Sequence, residues 1–434
     1  MSLRSLVYKE QGEMKMLFIF LMTYLLLGFA FQSSKSQENW EFWKSYKTII
    51  VDETDGLDRQ DEPVEISLSI YKGEITNPEQ EIRLVEILEK GDYKGIPSQV
   101  FEVQRHLGDQ HIQFKIIFLT NVSPYETKTY KLFYNNPAAQ RPSYSSDLIV
   151  NGEGFGLIIE NHFYKADLTA GEGPKKSSDS GQIKEITILG DVNQKLARFD
   201  RRMHWSPNFI RADNDTNKSI AHWDRPENYL VEKGPIICLT KRWGSLKDIP
   251  EIFITATYKF YAHQPYFTFY SRMEMKQDIH LSRLRNDEMT SDTLFTHLAF
   301  KRADGSMVNT TFQNRDEILG KHPVESDTPW LCFYEPNNGF AFGSIRLFYN
   351  NTNIWGETSP TTGDYTKISN GDRGGKYWNR ILILDKITLV PQGSVYAEKN
   401  AYIVFKLGEG ENRFAAIEQY AQRLNRPLKV KVID

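Results

Sequence analysis

From residue 40 onward, apolar side chains recur at every second position far more often than at helical spacing. Val64, Ile66, Leu68 and Ile70 alternate with Glu65, Ser67 and Ser69, and 112–118 and 129–134 repeat the pattern less strictly. A chain that alternates in this way buries one face of a pleated strand and wets the other, so it folds into antiparallel sheets. Later segments, 252–261, 266–275, 339–349, 378–384 and 401–407, are broader and more aromatic. They suit sheets covered on both faces, or strands lining a groove. The best helix signal is 412–424, with Asn412 as its cap, Phe414, Ile417, Tyr420, Ala421 and Leu424 at helical spacing, and Pro427 beyond its end.

The expected fold is therefore all-β: an N-terminal β-sandwich, then a larger antiparallel multi-sheet supersandwich, then a short C-terminal helix. A break rich in Asn, Pro and Ser at 135–146 separates the sandwich, 38–145, from the large unit, 146–434, which is too long for one ordinary two-sheet sandwich. Ahead of both, Arg4, Lys9 and Lys15 precede an apolar run at 17–31 and a polar stretch to Gln37. That layout reads 1–37 as a signal peptide and leader, and the mature protein as exported, periplasmic or secreted, with no membrane attachment after cleavage.

Lys and Arg number 53 against 56 Asp and Glu, a net charge of −3, so nothing draws the whole chain to nucleic acid. An anionic partner must be met by a local basic site. The two cysteines, Cys238 and Cys332, stand in apolar strand contexts and read as buried thiols before a disulfide; neither has zinc-ligand spacing.

Four polar clusters interrupt the strands: 160–165 with Asn161; 198–205 with Arg201, Arg202, His204 and Trp205; 283–288 with Arg285, Asn286, Asp287 and Glu288, followed by His297; and 376–380 with Tyr377, Trp378 and Arg380. Taken singly, a strand-borne Tyr or Trp is packing, a lone His is structural, and 285–288 is a solvated turn. Together they suit a sugar-binding groove, because aromatic faces cover sugar C–H surfaces and guanidinium forks grip carboxylate or sulfate. Cleaving beside a uronate by β-elimination requires neutralising its carboxylate, removing the C5 proton and protonating the departing oxygen, work suited to Arg, Asn, His and Tyr. Hydrolysis needs two carboxylates instead, and among Asp287, Glu288 and Asp292 no spacing singles out a pair.

The segments 56–64, 159–164 and 377–380 resemble the exported β-sandwich proteins grouped with exo-rhamnogalacturonan lyases, and the size, leader and basic-aromatic clusters are similar to the compact ulvan lyases of marine bacteria. The resemblance implies a secreted polysaccharide lyase cutting a uronate-containing, sulfated chain, ulvan first, by β-elimination. It also implies an Asn/His/Tyr/Arg set. Asn161 or Asn286 then neutralises the carboxylate, His204 or Tyr261 is the base, and Tyr377 completes the catalytic group. Arg201, Arg202, Trp205, Arg285, His297, Trp378 and Arg380 bind the substrate. On this reading an acidic polysaccharide is the partner of a monomeric enzyme, no cofactor is required apart from an optional divalent cation, and His204→Ala abolishes turnover with little loss of stability. The alternatives are a glycoside hydrolase acting on acidic glycans and a non-catalytic carbohydrate-binding protein.

Overall fold

The computed structural model describes residues 40–169, 181–197, 202–220, 223, 228–246, 248–291, 294–313, 324–370 and 375–434. Arg201, Asp292 and the leader 1–37 lie outside them. Trp40–Phe42 forms one 3-10 turn, and the main unit runs from Ser45 to Asp434.

Among the described residues of that unit there are five sheets, with antiparallel pairing at every strand contact, and the architecture is the all-β, multi-sheet sandwich with a short C-terminal helix. The N-terminal sandwich packs Lys429–Ile433, Ser45–Asp52, Thr127–Tyr134, Arg83–Ile87 and Tyr93–Ile96 against Arg59–Tyr71, His111–Val122 and Ser98–Gln104. In Arg59–Tyr71 the alternation is kept in full: Val64, Ile66, Leu68 and Ile70 enter the core shared with Ile116, Phe118 and Leu132, while Glu65 faces the other way. The edge strand Lys429–Ile433 comes from the end of the chain and pairs with Ser45–Asp52, so both ends of the main unit meet in one sheet.

The large unit is organised by a nine-stranded sheet in the order Asn228–Lys233, Ile237–Leu246, Ile249–Tyr261, Tyr266–Met275, Val395–Lys406, Phe340–Asn350, Trp330–Glu335, His297–Lys301, Met307–Thr311. Its inner face, with Tyr258, Phe267, Phe269, Phe342 and Tyr402, shares the main core with a six-stranded sheet containing Ile279–Ser291 and Lys376–Val390 and with a five-stranded sheet from 149–197. Its outer face is covered in part by the helix Ala415–Asn425 and by Phe101 and Ile117 of the N-terminal sandwich. The helix comes close because Gly343 has no side chain: a Cβ there would lie 2.6 Å from the Leu331 carbonyl oxygen and 2.8 Å from Ile417 Cδ1. It starts later than the spacing implies. Asn412 sits in a preceding 3-10 turn, and Phe414 occupies the N-cap without a side-chain bond.

Two buried contacts join the parts. The Gln99 side chain accepts from the backbone N–H groups of Ile236 (3.0 Å) and Ile237 (2.8 Å). Arg59, fully buried, donates to the carbonyls of Arg423 (3.0 Å) and Arg426 (2.6 Å) at the helix end and pairs with Glu53 at 3.1 Å. The 56–64 motif thus has an architectural role, since Arg59 supplies donors for carbonyls that a helix terminus leaves without intrahelical partners. Cys238 and Cys332 are free, buried thiols on separate strands, and burial raises both pKa values, that of Cys238 to about 12.

Candidate functional site: two faces of one sheet

The strand Ile279–Ser291 pairs with Lys376–Val390, and its register slips between Asn286 and Met289, leaving Asp287 and Glu288 in the bulge. Asp287 takes a left-handed φ of 42°. Its carboxylate is completely buried and collects four donors: Trp378 Nε1 (3.0 Å), Tyr402 OH (3.1 Å), Tyr349 OH (3.1 Å) and Ser344 Oγ (3.2 Å). Its backbone N–H donates to Glu398 Oε2 at 2.7 Å, and Asn400 Nδ2 reaches the same oxygen at 3.1 Å. Burial, followed by the nearby Asp287 charge, pushes the Glu398 carboxyl up to about 8. Burial raises Asp287 too, but the Arg346 charge and its donors oppose that and favour its ionised form, so of the two carboxyls it is Glu398 that holds a proton near neutrality.

His204 adjoins the same layer. Its ring is enclosed, with Nδ1 bonded to the Tyr258 hydroxyl, Nε2 at 2.9 Å from Ser206 Oγ and 3.3 Å from Tyr402 OH, and Phe269 edge-on at 4.3 Å. Burial, reinforced by the Arg242 charge, holds its pKa well below the usual histidine value, so it is neutral. Arg242 is itself buried, its guanidinium 5.7 Å from the Trp223 ring and 5.9 Å from that of Phe155. Such a network fixes the spacing of two sheets. It offers no surface to a polymer.

The expected site residues therefore divide. His204 and Trp378 belong to the enclosed layer, and Arg380 borders it, lying 3.9 Å over the Tyr349 ring and bonding Asp364 through Nε at 2.8 Å. Asn286 is buried in the neighbouring bulge position, with neither amide atom bonded among the described residues. Arg285 pairs with Glu288 at 3.7 Å, and Glu288 also takes the Asn208 amide. Arg202 stacks on Trp205 at 5.7 Å, and its carbonyl accepts the indole N–H at 2.9 Å; Tyr377 is half-buried. Asn161 is elsewhere: its amide donates to the carbonyls of Tyr261 (2.9 Å) and Gln264 (2.8 Å), and its oxygen accepts from Phe163 and Tyr164 N–H, so it braces a hairpin turn. His297 lies against Tyr334 at 5.0 Å and bonds Thr296. Tyr261 lies on the outer face of the nine-stranded sheet, seven residues before its hydroxyl partner Thr268. His204 and Tyr261 are on opposite faces, and the enclosed His204 cannot act as a base toward a polymer.

The outer face holds an arrangement that the sequence reading did not assemble. Between it and the N-terminal sandwich lies an open cavity of about 600 Å³, lined among others by Glu65, Glu102, Lys115, Lys241, Lys259 and Lys399. Period two places these groups. In Val395–Lys406, Tyr396, Glu398, Asn400 and Tyr402 face inward, so Lys399 faces out. In Ile249–Tyr261, Ile254, Ala256 and Tyr258 face inward, so Thr255, Thr257 and Lys259 line the cleft. A second bulge, between Phe101 and Gln104, turns Glu102 to φ 49°, and both carboxylate oxygens of Glu232 hold its N–H at 3.0 Å.

One ammonium bridges the two cleft acids: Lys115 Nζ lies 3.1 Å from Glu65 and 2.9 Å from Glu102. Lys259 also pairs with Glu65, and Lys241 with Glu102 at 3.4 Å. Burial raises both carboxyls, but Lys259 and Lys115 outweigh it at Glu65, as Lys115 and Lys241 do at Glu102, and both are held below the usual range. Both are ionised near neutrality. Among the described residues, no group of three or more His, Cys, Asp or Glu is arranged to hold a metal ion.

No protein-family model matches the chain, and no curated protein matches it by sequence. Its fold is similar to that of two solved structures from Enterococcus faecalis: a protein in glycosyl hydrolase family 38 (TM-score 0.50, 10% identity, 90% of this chain and 48% of that one) and an alpha-mannosidase (TM-score 0.51, 10% identity, 90% and 46%). The chain spans about half the length of each. A galactosidase domain at TM-score 0.39 is too distant to bear on the argument. Both likenesses are thus to carbohydrate-active enzymes that hydrolyse glycosides, and at 10% identity they show a shared fold. Together with the enclosure of His204 and its separation from Tyr261, this overturns the expectation of β-elimination on ulvan.

Proposed function

We propose that this chain is a carbohydrate-active protein of glycoside-hydrolase type that engages a glycan in the cleft on the outer face of the nine-stranded sheet. One observation carries the reading: Glu65 and Glu102 face an open cavity while sharing a single lysine. Their bridged oxygens can be no more than about 6 Å apart, within the scale on which glycosidases set two carboxyl groups across a scissile bond. Tyr261, Tyr270 and the threonines of the cleft supply the mixed aromatic and hydroxyl lining that sugar rings require. The likeness to family 38 supports the carbohydrate class. The leader-like composition of 1–37 supports export.

The test is incubation with a panel of neutral and acidic oligosaccharides, followed by reducing-end assay and mass spectrometry. New reducing ends that disappear in Glu65→Gln and Glu102→Gln support hydrolysis. Unsaturated uronyl products would refute it.

A second reading, binding without turnover, is favoured by the charge state of the pair. With both carboxylates ionised by their lysines, neither holds the proton that a leaving oxygen needs. Retention of intact oligosaccharide with no fragments identifies this case.

A further inference from the structure

Across four strands of the nine-stranded sheet, directly opposed residues form one line on the outer face: Lys241 opposite Thr257, Thr257 opposite Tyr270, and Tyr270 opposite Lys399. All four line the cleft. Strand spacing of about 4.8 Å makes the line roughly 14 Å long, and its steps are comparable with the rise of successive sugars in an extended chain. Trp243, two residues beyond Lys241 on the same strand face, continues the aromatic surface, and the Lys241 ammonium lies 5.7 Å from its ring.

The charges along this line are unevenly satisfied. Lys115, Lys241 and Lys259 each have a carboxylate, drawn from only two acids, whereas Lys399 is exposed and makes no ion pair among the described residues. An unpaired ammonium set among like charges is relieved by an incoming anion. Resting on the reading of the cleft as a glycan site, we infer that the line Lys241–Thr257–Tyr270–Lys399 is a platform for an extended anionic glycan, with the acidic group of one sugar on Lys399 and the ring of its neighbour on Tyr270. Crowding by protein atoms, then by the Lys259 charge, lowers the Lys399 pKa against an opposing pull from Glu65. Sugar carboxylate and sugar sulfate satisfy the same geometry.

Affinity electrophoresis of the full chain through gels containing a polyuronate, a sulfated neutral polysaccharide or an uncharged polysaccharide tests the inference. Lys399→Ala and Tyr270→Ala are run beside Lys386→Ala, an exposed lysine on Lys376–Val390, with thermal melts confirming folding. The expected result is retention by at least one anionic polymer, weakened about ten-fold or more by Lys399→Ala and by Tyr270→Ala and unchanged by Lys386→Ala. The anionic polymer that shows this loss identifies carboxylate or sulfate as the recognised group. Equal retention of the wild type and Lys399→Ala would overturn the platform. Retention or hydrolysis of the uncharged polymer alone would overturn it while leaving the cleft reading intact, and no interaction with any polymer would sink both.

Discussion

Glu398 and Lys399 are neighbours in sequence, yet they face opposite sides of the nine-stranded sheet and meet opposite electrostatic solutions. Inside, acid is kept company by neutral donors: Asp287 collects an indole, two phenols and a hydroxyl, and Glu398 keeps its proton. Outside, acids are ionised and interlaced with lysines in an open cavity. Low dielectric makes the inner groups costly to disturb, whereas solvent makes the outer ones cheap to disturb and available to a ligand. The inner face is built for stability, and the outer face is where recognition is proposed.

The largest effect is expected from Asp287→Ala, which strands four buried donors. It should lower unfolding free energy by about 3–5 kcal/mol in urea titrations, whereas Glu65→Ala should cost under about 1 kcal/mol. Equal losses would erase the distinction. His204→Ala should come next, at about 2–4 kcal/mol, because it leaves a cavity and unpairs Tyr258 and Ser206. The sequence alone led to the opposite expectation, little loss of stability with loss of turnover.

The pH dependence of the inner face sharpens the comparison. Glu398 binds its proton more tightly folded than unfolded, so the folded state gains stability below the unfolded pKa, near 4.5, and loses it as pH rises from there through about 8. Glu398→Gln should remove this loss, seen as a flatter urea midpoint between pH 5 and pH 8 on the order of the wild-type slope. Buried His204 acts oppositely and at lower pH: its neutral form is favoured folded, so stability falls as pH drops below its unfolded value of about 6.5. The smallest stability effect should be that of Lys399→Ala, within about 0.5 kcal/mol, since no ion pair is lost among the described residues.

Much of the fold was legible. Alternation at Val64–Ile70 specified both the strand and its buried face, and the helix was visible in Ile417, Tyr420, Ala421 and Leu424, although its start was misplaced because Asn412 invites a cap that the 3-10 turn pre-empts. The site was harder to read. Adjacent polar residues at 285–288 suggested one cluster, but a bulge commits Asp287 to the core layer and leaves Glu288 to Asn208 and Arg285. The cleft draws Glu65, Glu102, Lys115, Lys241, Lys259 and Lys399 from distant segments, and only sheet register brings them together. One signal was present: polar residues at every second position in otherwise apolar strands, as with Thr255, Thr257 and Lys259. Such a series marks a sheet face left wet.

Lysine acetylation followed by mass spectrometry, with and without a bound anionic glycan, tests the division between faces most directly. Protection of Lys399, with Lys241 and Lys259 changing less and Lys386 not at all, is the predicted outcome. Unchanged acetylation of Lys399 in the presence of bound glycan, with protection instead at lysines outside the cleft, would contradict it.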